Sequence, residues 1–142
     1  MRSFAQIEAN LDQDDRRFSA SQRALELLGL GEETMEHWIR AKGNTPTIEQ
    51  IEGFRLLALH RQGAKGDPSF NASRESCREL VYHYNLICLN PDDAGTSIRL
   101  THMNQLARHL LYFVSGKMQE ARVGEFCCSS RAVRLDEDAE EI

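Results

Sequence analysis

The stretch Cys77-Arg78-Glu79-Leu80-Val81-Tyr82-His83-Tyr84-Asn85-Leu86-Ile87-Cys88-Leu89 decides the fold class. Cys77, Leu80, Val81, Tyr84 and Cys88 fall at i, i+3, i+4, i+7 and i+11, one face of a helix of 3.6 residues per turn. The pattern predicts a helix from about 71 or 73 to 89, with Cys77 and Cys88 as core thiols. Asn90-Pro91-Asp92-Asp93-Ala94-Gly95 then reads as a turn, and a longer helix follows from 96 or 97 to about 122. Leu100, Met103, Leu106, Ala107, Leu110, Phe113 and Val114 stripe it.

Upstream the same logic gives shorter blocks. Ser19 with Gln22 and Thr47 with Gln50 have capping-box spacing. They predict helices from 19 to 28 and from 47 to 62, the second striped by Ile48, Ile51, Phe54 and Ala58. Gly29 and Gly31 are expected to stop the first of these. A further short helix over 32–41 carries Met35, Trp38 and Ile39 at i, i+3, i+4, and Gly43 ends it. No period-2 run of β-branched and aromatic residues occurs, so the expected class is all-α: one compact domain of about five helices. Its organisation reads as a polar arm over 1–18 with a short helix at 4–11, a helical domain over 19–126, and a flexible acidic tail over 127–142.

The 142 residues suit one ordinary domain. The formal charge of -5 comes from the end: Asp136, Glu137, Asp138, Glu140 and Glu141 leave the rest with 17 acidic against 17 basic residues. A neutral body lacks the long-range field of a non-specific nucleic-acid binder. No export signal opens the chain and no run of about 18 apolar residues spans a membrane, so the expectation is a cytoplasmic protein with reduced thiols. Adjacent Cys127-Cys128 could form a reactive pair, which is the redox alternative.

Motifs for chemistry are scarce. His37, His60, His83, His102 and His109 build no H-E-x-x-H or Cys-x-x-Cys pattern, and they read as surface or rim histidines with no metal site. No glycine-rich phosphate loop opens a helix, and no serine sits in a nucleophile elbow. The expectation is a non-enzyme without cofactors. Residues 24–39, with Leu28-Gly29-Leu30, Thr34-Met35 and Trp38, resemble the helix-turn-helix of DNA-binding regulators, in which the glycine makes the turn. Glu32, Glu33 and Glu36 would then face phosphates, which is repulsive, so DNA reading stands as the alternative function.

Two apolar sets point to protein contact. Met35, Trp38 and Ile39 form a ridge on a short helix between glycine loops, the expected protein-binding surface. Leu100, Leu106, Leu110, Phe113 and Val114 lie on a helix whose apolar residues cover more than one face, the expected homodimer interface. The stretches Glu33-Thr34-Met35-Glu36-His37-Trp38-Ile39 and Arg78-Glu79-Leu80-Val81-Tyr82-His83-Tyr84-Asn85 give the chain a resemblance to bacterial quorum-sensing anti-activators. These small helical regulators hold another protein. The resemblance implies a dimeric, non-enzymatic protein that binds a LasR-type transcriptional regulator at its ligand-binding domain and blocks its dimerisation or DNA binding. It carries no contact residues over.

Overall fold

The computed structural model describes residues 1–13 and 18–121. They form α1 (Phe4–Leu11), α2 (Ala20–Ala41), α3 (Arg55–Ala64), a 3-10 turn (Pro68–Phe70), α4 (Asn71–Leu89) and α5 (Thr96–Ala121). The described residues contain no strand; Ile51 and Phe54 form one isolated bridge. The all-α domain is as the periodicity predicts. The last residues of the expected 19–126 domain, the acidic tail and Cys127-Cys128 lie outside the described residues.

The long α2 is the centre of the domain. It packs along α5 and also touches α1, α3 and α4. Ser19 and Gln22 form the expected reciprocal cap at its start, a motif that contributes about 1 kcal/mol. At its end, Gly43 at φ 84° lets the chain reverse. Asn44 N–H then donates to Ile39 O and Gly43 N–H to Arg40 O, the paired bonds that satisfy the last carbonyls of a helix.

Three boundaries differ from the sequence reading. First, α2 runs unbroken through Gly29 and Gly31. A glycine inside a helix costs about 1 kcal/mol relative to alanine, and burial of Leu27, Leu28, Leu30, Met35, Trp38 and Ile39 along this one element outweighs two such costs. Gly31 sits under leucines from three other helices: a Cβ there would lie 3.5 Å from Leu80, 3.6 Å from Leu56 and 3.7 Å from Leu110.

Second, residues 47–54 are not helical. Glu52 (φ 56°) and Gly53 (φ 86°) are both left-handed, closing a two-residue turn with Ile51 and Phe54 exchanging backbone hydrogen bonds at 3.0 and 2.9 Å. Thr47 Oγ1 accepts from Glu49 N–H rather than capping a helix at Gln50, and Ile48 is exposed. Gln62 clamps this segment to α3, accepting from Thr47 N–H at 2.8 Å and donating to Thr45 O at 2.8 Å.

Third, the helix expected at 4–11 is docked rather than a frayed arm. Ser3 and Gln6 cap it, and Phe4, Ile7 and Leu11 enter the core. Arg2 fastens it to α2, donating to Glu33 Oε2 at 2.8 Å and Glu26 Oε2 at 2.6 Å. In α4, Cys77 is buried as expected but Cys88 is exposed. At the last turn the covered side bears Ile87 instead.

Candidate functional site

The expected binding ridge is interior. Met35, Trp38 and Ile39 are 0%, 3% and 1% exposed. The short α3 covers them. Trp38 Nε1–H donates to Gly63 O at 3.1 Å, and its ring lies 5.1 Å from that of Phe70. The ridge does not project because the helix that bears it is the central element, not a short outlier between glycine loops.

The set expected at a dimer interface is also mostly spent inside the monomer. Val114, Leu110 and Leu106 are buried, and Leu100 and Phe113 are partly buried against the core. Phe113 meets Phe70 edge-on at 5.0 Å. α5 is apolar on more than one side because α1, α2 and α4 all pack on it.

The helix-turn-helix likeness loses its turn to the continuous α2. Its glutamates have partners within the domain: Glu33 pairs with Arg2, and Arg55 pairs with Glu36 and, at 3.8 Å, with Glu32. Burial pushes the Glu32 carboxyl above its ordinary range. At Glu33 burial acts the same way, but hydrogen bonds from the Arg2 side chain and backbone outweigh it and hold that carboxyl below its usual range.

Two open depressions flank the bundle. One, of about 750 Å³, lies where the start of α2 meets the start of α5. The other, of about 730 Å³, lies between α3 and α4 with Arg61, Lys65, Arg74 and Arg78 in its lining. Its lining also includes His60, which pairs with Ser73, a combination that invites a nucleophile–base reading. The geometry answers it. His60 Nε2 lies 3.0 Å from both Phe70 O and Ser73 Oγ, and the Ser73 hydroxyl itself donates to Phe70 O at 2.9 Å. The hydroxyl proton already has Phe70 O as its acceptor, so the three groups form one closed triangle. Both side chains are buried, so the pair is a clamp on the chain turn entering α4. His60 corrects the expectation of rim histidines.

The outer surface of α4 and α5 is different. The connection over 90–95 turns the chain back so that the two helices pack together. Tyr82 and Leu89 on α4 and Ile98 on α5 are 58%, 82% and 73% exposed. Between the helices, Glu79, His83 and His102 bring one donor atom each to within 4.8 Å of one another. His102 Nε2 is 3.4 Å from Glu79 Oε1. The rings of His83 and His102 are 4.8 Å apart, and Tyr82 stands edge-on to His83 at 5.3 Å. Burial holds the His83 imidazole below its ordinary pKa, and the neighbouring His102 and Arg99 add to the effect.

Glu79 and His83 are i, i+4 on one helix, a spacing visible in the sequence. Within α5 the next histidine after His102 is His109, seven positions on. That His102 faces His83 depends on how α4 and α5 pack, which no local pattern reports. Among the described residues no helix is long and apolar enough to cross a membrane. No protein-family model, no curated protein and no solved structure matches the chain.

Proposed function

We propose that the protein is a non-enzymatic regulator that works by contact, binding a transcriptional regulator and inhibiting it through the outer face of α4 and α5. The observation that carries the reading is the exposure of Tyr82, Leu89 and Ile98 on two adjacent helices. Single exposed apolar residues are ordinary. Here Leu89 ends α4 and Ile98 lies in the first turn of α5, so the two flank one turn, and Tyr82 lies two helical turns back on α4. Burying a leucine or isoleucine favours a complex by about 1.5–3 kcal/mol, and roughly 1.4 kcal/mol is a tenfold change in affinity. The resemblance to anti-activators supplies the class of partner, and a homodimer belongs to the same proposal.

The test is a pull-down from native lysate with mass spectrometry, using wild-type bait beside a Leu89→Asp/Ile98→Asp double variant. One stoichiometric transcriptional regulator, held by wild type and lost from the variant, is the expected result. A regulator retained by the variant removes the α4–α5 face from the proposal. Recovery of no stoichiometric regulator removes the function. Sedimentation of each bait alone reads self-association, and a dimer that the double variant dissociates assigns the face to a second copy instead.

A further inference from the structure

We propose that Glu79, His83 and His102 form a binding site for a divalent transition-metal ion of the zinc, cobalt and nickel class.

The spacing is that of ligands. A tetrahedral ion with bonds of about 2.0–2.1 Å holds its donors about 3.3 Å apart, and His102 Nε2 already stands 3.4 Å from Glu79 Oε1. No pair of the three donors exceeds 4.8 Å, so closing the triangle takes a shift of about 1.5 Å at most, within reach of small side-chain rotations. The backbone holds this arrangement: Glu79 and His83 are one helical turn apart on α4, and His102 comes from the helix packed against it.

A second observation concerns the hydrogen bonding of His83. His83 Nδ1 is buried and has no hydrogen-bond partner. A buried nitrogen that has lost water without replacement is destabilising. The His83 ring packs against those of Tyr82 and His102. A metal ion bound at Nδ1 would satisfy that atom, and one bound at Nε2 would leave Nδ1 free to carry the ring proton.

The donor set sets the class. Two imidazoles with one carboxylate suit zinc, cobalt and nickel, whereas calcium and magnesium take oxygen ligands. His102 is half-exposed, which leaves a fourth position open towards solvent, as in sites that keep a water or an exchangeable ligand. Arg99, three residues before His102 on α5, brings a positive charge that opposes the ion and that the Glu79 carboxylate offsets.

The test is a cobalt titration of the purified full chain followed by visible spectroscopy. One equivalent of Co²⁺ is expected to give tetrahedral d–d bands without a thiolate-to-cobalt charge-transfer band, and Zn²⁺ to displace it. His83→Ala and His102→Ala are each expected to weaken binding by ~10- to 100-fold or more, while His109→Ala leaves it unchanged. Far-UV circular dichroism checks that each variant folds. Glu79→Gln, near-isosteric and part-exposed, keeps the test decisive if a histidine variant does not fold, and is expected to weaken binding as well. Binding that survives all three substitutions overturns the proposal. So does a thiolate band, which would place the ion on cysteines, or the absence of any binding at millimolar cobalt.

Discussion

Trp38 donates its indole N–H to the carbonyl oxygen of Gly63 at 3.1 Å, tying the one tryptophan of the chain to the backbone of α3. The close approach of α3 to α2 at this point leaves little room for a side chain at position 63. A Cβ at position 63 would lie 2.6 Å from Met35 Cε and 3.1 Å from Trp38 Cδ1. The methionine tip can yield and the indole cannot. Gly63→Ala is therefore expected to destabilise by about 1 kcal/mol, an overpacking cost of about 1–3 kcal/mol reduced by the better helix propensity of alanine. Gly63→Val should cost more, and urea midpoints measure both. A Gly63→Val protein as stable as wild type would mean that α3 does not sit this close to α2.

Trp38 is a core residue, so Trp38→Ala is expected to cost about 3–5 kcal/mol of folding stability. Trp38→Phe keeps most of the packing but leaves Gly63 O without its donor, for about 1–3 kcal/mol. Denaturant unfolding of the pair separates the two contributions. An unchanged melt with partner binding lost would instead return Trp38 to the surface.

Gly29 gives a sharp test of the continuous α2. Nothing lies within 4 Å of a Cβ built there. In an unbroken helix, Gly29→Ala should stabilise by about 0.5–1 kcal/mol. In a helix-turn-helix, where the glycine makes the turn, the same change would destabilise. Thermal melts give the sign directly.

Burial lowers the His60 pKa below its ordinary 6.5, and the nearby Arg74 charge acts in the same direction against the hydrogen bond to Phe70 O. Below pH 6.5 the unfolded chain takes up a proton that the folded chain refuses. The stability contributed by neutral His60 is thus complete above that pH and falls as the pH drops from 6.5 towards the depressed folded value. Wild type should lose stability over this window more steeply than His60→Gln. Parallel slopes in urea titrations across the window would contradict the assignment.

Cys77 and Cys88 should label differently. Burial pushes the Cys77 thiol up to about 12, whereas Cys88 is exposed. Thiolate is the reactive form, so maleimide labelling with peptide mapping should modify Cys88 in the native protein and Cys77 only after unfolding. Equal rates would show that α4 opens readily.

What the sequence determined by itself is local. The 77–88 periodicity, the Ser19–Gln22 cap, Gly43 at the end of α2 and the turn at 90–95 each depend on residues within a few positions of one another. They were enough for an all-α class and for the full span of α4. Tertiary structure decided the rest. Gly29 and Gly31 look like stops by propensity, yet α2 is surrounded by other helices, and burial along its length outweighs two glycines. Glu52-Gly53 interrupts an apolar pattern that reads as helical because periodicity does not report a left-handed pair. Met35, Trp38 and Ile39 have the spacing of a contact ridge and of a core face alike, and the presence of α3 over them makes the choice. His83 and His102 are 19 positions apart in sequence. Only the packing of α4 on α5 brings their rings to 4.8 Å, because the register between two helices is fixed by side chains interlocking across the interface and not by anything within either helix.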